Sequence, residues 1–126
     1  MLSVEAKRTG PKTWEAYTDN GREHTGLDVV EWIERAVKLG AGEVLLTAVD
    51  QEGTRKGLDI ELMRAVNARV AVPVIASGGF GDPLDLKRAG DVGTSAVAIA
   101  DALHWQRTTV GEIKLHARQQ GLEVRL

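Results

Sequence analysis

Cysteine is absent from the 126 residues, so disulfide frameworks, thiolate metal sites and cysteine nucleophiles are excluded. No apolar run approaches the length needed to cross a bilayer, and the N-terminus has neither the basic start nor the apolar core of a signal peptide. A cytoplasmic location with no membrane partner is the expectation. Neither sign of charge prevails: 16 Lys and Arg stand against 18 Asp and Glu, interspersed, for a net charge of -2. That leaves no basic stripe, and no nucleic acid is expected to bind. No cluster falls at metal-ligand spacing and no serine occupies a nucleophile elbow, so neither a metal nor another cofactor is expected. Length sets a further bound: one domain over residues 1–126, large enough to bury a core but about half of a typical α/β barrel.

What is present centres on Thr47 to Gly57. The apolar run Val44-Leu45-Leu46 feeds into two carboxylates, Asp50 and Glu52, and then into a glycine-bounded loop. A buried parallel strand delivers chemistry in this way at its C-terminal end, where α/β folds place their ligands. Around this stretch, strands and helices alternate. Leu2 to Ala6 reads as a short strand, and its brief lead-in suggests a chain cut from something longer or a gene that starts inside an ancestral fold. Pro11 to Gly26 reads as a long loop with a small hairpin, Trp14 to Thr18 turning at Asp19-Asn20-Gly21. Thr25 and Asp28 resemble a capping box for a helix over Leu27 to Leu39, stopped by Gly40. A second strand spans Glu43 to Val49, and Asp59 caps a second helix with Leu62, Met63, Val66 and Val70 on one face. A third strand, Val74 to Ala76, ends in Ser77-Gly78-Gly79. Asp82 as N-cap and Pro83 at the first helical position then open a third helix ending near Ala89. Ala96 to Ala100 is a fourth strand, and Thr109 with Glu112 caps the last helix. Four strand–helix units with parallel strands and right-handed crossovers make a (βα)4 half of a TIM-type (βα)8 barrel.

Three strand ends carry small residues that let backbone amides approach an anion: Glu52-Gly53-Thr54, Ser77-Gly78-Gly79 and Ala100-Asp101. Together they predict a phosphate site. Glu5 lies inside or at the end of the first strand, where a charge is costly unless it faces a polar barrel mouth. It reads as a general acid or base, or as a strand-end carboxylate paired with Lys7 or Arg8; Glu52 carries the same two readings. Asp50 is placed to hold loop geometry. His24 and His116 read as surface residues, and His104 as a structural hydrogen-bonding group rather than a catalyst.

Val4-Glu5-Ala6-Lys7-Arg8, His24-Thr25-Gly26, Gly40-Ala41-Gly42-Glu43, Gln51-Glu52-Gly53-Thr54, Ile75 to Gly79 and Gly111 to Lys114 resemble, in one register, the C-terminal half of the cyclase subunit of imidazole glycerol phosphate synthase. The resemblance implies a (βα)8 barrel that takes ammonia from a glutaminase partner and closes an imidazole ring in histidine biosynthesis, using two strand-end acids. It places Glu5 and Glu52 where the family has catalytic-site aspartates, and puts a phosphate or phosphorylated sugar-type ligand on Gly53, Ser77, Gly78, Gly79, Ala100 and Asp101. At Asp101 the family usually has serine, and an aspartate there would repel phosphate unless it turned away. Glu43 matches a carboxylate of the gate at the barrel bottom. Glutamate for aspartate is similar to a divergent branch that works with an amidotransferase on surface-polysaccharide sugars. A four-strand sheet exposes two edges and one apolar face, so a homodimer closed edge to edge about a two-fold axis is expected, with the second copy of Glu5 standing in for the missing acid. A non-catalytic, self-associating phosphate-binding half-barrel is the alternative.

Overall fold

The computed structural model describes residues 1–126. Three antiparallel strands come first: β1 (Leu2–Gly10), β2 (Thr13–Thr18) and β3 (Glu23–Asp28). There follow α1 (Val29–Lys38), β4 (Val44–Ala48), α2 (Ile60–Asn67), β5 (Val74–Ser77), α3 (Leu84–Asp91), β6 (Ala96–Ala98), α4 (Asp101–His104) and α5 (Val110–Gln119). The strands form one sheet in the order β3-β2-β1-β4-β5-β6. Within it β1, β4, β5 and β6 are parallel neighbours. These four strands and their helices are one half of a TIM-type (βα)8 barrel.

Alternation along the strands sorts the side chains onto two unlike faces. Val4, Ala6, Val44, Leu46, Ala48, Val74 and Ala76 are buried under the helices. There they meet Val29 and Ile33 of α1 and Leu62, Met63 and Val66 of α2 in one core cluster. Each Val, Leu, Ile or Met side chain so buried contributes about 1.5–3 kcal/mol. The other face is open. Its residues align in two layers across the strands, Ser3, Leu45, Ile75 and Ala96 in one, Glu5, Thr47, Ser77 and Ala98 in the next. All eight are half-buried or exposed.

The segment from Pro11 to Gly26 differs from its sequence reading as loop decoration. β1 runs on to Gly10, four residues beyond the barrel register, and β2 pairs with Glu5 to Gly10, then with β3. Trp14 and Ala16 alternate with Glu15 and Tyr17 and are buried, so this hairpin is sheet with a core face of its own. It covers only the C-terminal part of the β1 edge. Leu2, Ser3 and Val4 pair with β4 on one side and with nothing on the other, and β6 is likewise bonded on one side alone.

One buried carboxylate fastens the hairpin to the body. Asp59 accepts from both the Arg8 guanidinium, at 3.0 and 3.2 Å, and Trp14 Nε1, at 3.0 Å. It also caps α2 by accepting the N–H of Leu62 at 3.0 Å. The Arg8 guanidinium lies 4.9 Å from the Trp14 ring centroid, a cation–π contact. Local signals hold elsewhere with small shifts. Asp28, not Thr25, caps α1 through the N–H of Glu31; Thr25 lies within β3, where its hydroxyl donates to the Ala16 carbonyl and accepts the N–H of Leu27. The regular turns of α3 begin at Leu84, but Pro83 is already helical and Asp82 makes the capping bond the sequence suggests, accepting the N–H of Leu84 at 2.7 Å. Thr109 and Glu112 form a full capping box on α5.

Candidate active site at the strand C-terminal ends

A small cleft of about 110 Å³ opens where β4, β5 and β6 end. Its walls are Glu52, Gly53 and Arg55 from the β4–α2 loop, Ser77 to Phe80 from the β5–α3 loop, and Ala98 to Asp101 after β6. The two loops are pressed together. Gly57 donates to the Gly79 carbonyl at 2.8 Å, and a Cβ on Gly79 would lie 2.2 Å from the Gly57 oxygen. A Cβ on Gly81 would lie 2.1 Å from the Arg55 carbonyl, so neither glycine can carry a side chain without the loops moving apart. Asp85, buried at the start of α3, holds the second loop by accepting the N–H groups of Gly81 and Asp82 at 3.0 and 3.1 Å.

This closeness leaves backbone donors without partners. The N–H groups of Gly53, Gly78, Gly79 and Ala100 donate no hydrogen bond within the chain, and Gly78 and Gly79 are buried. Buried amides are almost always paired, so a cleft lined by several residues with free N–H donors is suited to an anionic oxygen ligand. Charge is distributed around it as follows. Asp101 Oδ2 accepts from Arg107 at 2.8 Å and lies 3.7 Å from Arg55 Nε, so the carboxylate has two cations beside it. The charge of Asp101, a residue of the cleft wall, is thus countered in place. The carboxylate of Glu52, also on the wall, makes no hydrogen bond or ion pair, and its Oε2 lies 3.3 Å from where a Gly78 Cβ would be.

Glu5 is placed differently. It lies on the open face in register with Thr47, and through it with Ser77. Two strand spacings separate it from the cleft, about 10 Å. Its Oε2 accepts the N–H of Gly21 at 2.8 Å, because the β2–β3 turn folds over this end of β1. Asp50 does not join the cleft either; it accepts the Arg8 N–H at 2.7 Å and so ties the end of β4 to β1. His104 is exposed and meets the Trp105 ring edge-on, and His24 is a surface partner of Tyr17 and Glu15. No group of three or more His, Cys, Asp or Glu side chains is placed to hold a metal ion. No helix is long and apolar enough to cross a membrane.

Comparison with known proteins agrees with this geometry. Residues 1–109 match the family model described as histidine biosynthesis protein. The chain belongs to the histidine biosynthesis protein family. Among curated members, it is 46% identical over 127 positions to "Imidazole glycerol phosphate synthase subunit HisF" of Dehalococcoides mccartyi, covering 100% of this chain and 50% of that protein. The protein of the same name from Streptomyces coelicolor is 46% identical over 125 positions, 99% of this chain and 50% of its own length. That from Legionella pneumophila is 63% identical over 81 positions, 64% of this chain and 38% of its own. The chain thus spans about half the length of the curated relatives it matches.

Within the family half-barrel, the structure gathers Glu52, Gly53, Ser77, Gly78, Gly79, Ala100 and Asp101 on one cleft and leaves Glu5 outside it. Sequence reasoning did not single out Arg55, Phe80 or Asp85. Arg55 lay two residues past Gly53 in a loop already marked as a ligand loop, which was signal enough. Asp85 gave only the weak hint of an acid three residues after Asp82.

Proposed function

We propose that the chain binds a phosphorylated, sugar-type ligand at the β4–β6 cleft and supplies carboxylates for ammonia-dependent ring closure of the imidazole glycerol phosphate synthase type. The observation that carries this reading is the set of unpaired amides of Gly53, Gly78, Gly79 and Ala100, residues that line one cleft with the unengaged carboxylate of Glu52. The amides and the Ser77 hydroxyl anchor the phosphate, fixing the ligand so that its reactive end reaches along the open face towards Glu5. Ring closure with ammonia needs a base to take a proton from the attacking nitrogen and an acid to protonate the oxygen that leaves as water. Glu52 and Glu5 are the groups for those two tasks.

The rest of the barrel is supplied by a second copy of the chain. The outer edges of Leu2 to Val4 and of β6 are both unpaired, and Leu45, Ile75 and Ala96 give the open face an apolar layer to bury. A two-fold dimer joins each β1 edge to the partner's β6 edge and brings two copies of Glu5 to one mouth. A glutaminase subunit as ammonia donor would meet the opposite end of the sheet, where Glu43 stands just before β4.

One observation favours the alternative, a self-associating phosphate-binding half-barrel without turnover. Glu5 is engaged by Gly21 and outside the cleft, and a misplacement of about 1 Å can cost on the order of a hundredfold in rate. The experiment that separates the two is an ammonia-dependent cyclisation assay on the whole chain. The catalytic reading expects turnover that falls roughly 10²- to 10⁴-fold in Glu52→Gln and in Glu5→Gln, with phosphate affinity retained. No turnover in the parent chain, with phosphate still bound, leaves the non-catalytic half-barrel.

A further inference from the structure

Asp101 is the unusual member of the cleft wall. The amides of Gly53, Gly78, Gly79 and Ala100 and the Arg55 guanidinium are all donors, as an oxyanion requires, yet a carboxylate stands among them. Its two oxygens are used unequally. Oδ2 takes the Arg107 guanidinium at 2.8 Å and has Arg55 Nε at 3.7 Å. Oδ1 accepts nothing within the chain, and Asp101 is only partly exposed, with 24% of its side chain open to solvent. Holding one oxygen between two cations fixes the direction of the other. An acceptor of fixed direction beside a ring of donors has a specific chemical meaning: it can face an oxyanion only through a hydrogen.

We propose that Asp101 makes the cleft selective for a tetrahedral anion that keeps a proton, either hydrogen phosphate or a phosphomonoester in its singly protonated form. The P–OH group donates to Asp101 Oδ1 in a short, charge-assisted bond, while the remaining phosphate oxygens take the backbone amides and Arg55. An anion with no proton to offer, such as sulfate, meets the carboxylate with bare oxygens and is repelled. For a phosphomonoester presented as the dianion, binding takes up one proton from solution, which ends between the phosphate oxygen and Oδ1. Glu52 is not the discriminating group, because nothing in the structure fixes its direction.

This inference rests on the anion-site reading above, and the test separates the two. Inorganic phosphate and sulfate are titrated calorimetrically into the whole chain at matched ionic strength, alongside Asp101→Asn, Asp101→Ser and Glu52→Gln. The parent chain should bind phosphate at least about tenfold more tightly than sulfate, a gap of about one factor of ten per 1.4 kcal/mol. In both Asp101 variants sulfate should gain and the ratio should fall to within roughly threefold; Glu52→Gln should keep it. Glycerol phosphate titrated in buffers of different ionisation enthalpy should show proton uptake in the parent chain and none in Asp101→Ser. The near-isosteric Asn variant guards against loss of fold. Equal affinity of the parent chain for both anions, an unchanged ratio in the Asp101 variants, or a ratio that moves with Glu52 instead would overturn the inference while leaving an anion site. Binding of neither anion by the parent chain would overturn the site itself and the inference with it.

Discussion

At the ends of β4, β5 and β6 the loops lock against one another and need nothing from outside the chain, whereas the end of β1 carries a lone acid held by a turn. Gly79 and Gly81 sit against opposing carbonyls, Asp85 pins the loop behind them, and the residues with free amides line a cleft already formed. Glu5, by contrast, is on the open face of β1, between β2 and β4, and its carboxylate has Gly21 as its one hydrogen-bond partner. The difference separates binding from chemistry. A phosphate site can be built from neighbouring loops of one half-barrel, because backbone amides a few residues apart suffice. An acid–base pair spanning a substrate needs groups on opposite sides of a mouth, and half a mouth has only one side.

The sharpest way to break the comparison is Gly79→Ala. The new Cβ meets the Gly57 carbonyl at 2.2 Å in a residue whose φ is +97°, so the two loops must separate. The expected loss is roughly 2–4 kcal/mol in urea unfolding, from overpacking and backbone strain together, with phosphate binding abolished. If phosphate still bound normally, the cleft would not depend on loop locking. Asp59→Ala attacks the β1 side instead. It strands Trp14 Nε1, which is buried, and Arg8, which is about one-third exposed and so partly rescued by water. A loss of about 2 kcal/mol is expected, with the phosphate affinity of the folded fraction unchanged, since the hairpin takes no part in the cleft. A parallel fall in affinity would show that the two regions are coupled. The smallest effect lies in α5. Backbone donation from Thr109, then the hydroxyls of Thr108 and Thr109, hold the Glu112 carboxyl below its ordinary value. Its folded pKa is depressed, so its contribution is complete above the ordinary carboxylate range and is lost as pH falls through the lowered value. Urea midpoints of Glu112→Gln should match the parent at low pH and fall slightly short of it at neutral pH, without any change at the cleft.

The same contrast governs what could be read before the structure. Loop glycines, strand runs and caps are local patterns, and the cleft residues Gly53, Ser77, Gly78, Gly79, Ala100 and Asp101 were legible because each lies at the end of its strand or within five residues of it. The β2–β3 extension was not, although Trp14-Glu15-Ala16-Tyr17 alternates as a strand should. What makes it sheet is pairing with a continuation of β1 past Ala6, and buried anchorage to Asp59, 45 residues from Trp14 and 51 from Arg8. Periodicity does not report contacts at that separation. Glu5 was legible as an unusual strand acid, but its partner Gly21 was not, for the same reason. At α3 the local signal held: Asp82 accepts the N–H of Leu84, and Asp85 accepts the N–H of Asp82 in return, the reciprocal pair that a capping arrangement makes.

The central claim is that the anion site is complete in one chain while the acid pair is shared between chains. The measurement that tests it most directly is calorimetric titration of inorganic phosphate into the intact protein, with molecular mass followed by light scattering at each stage. The account predicts one phosphate per chain, a two-chain mass, and a stoichiometry that Glu5→Gln leaves unchanged. One phosphate per two chains, or none, would contradict it.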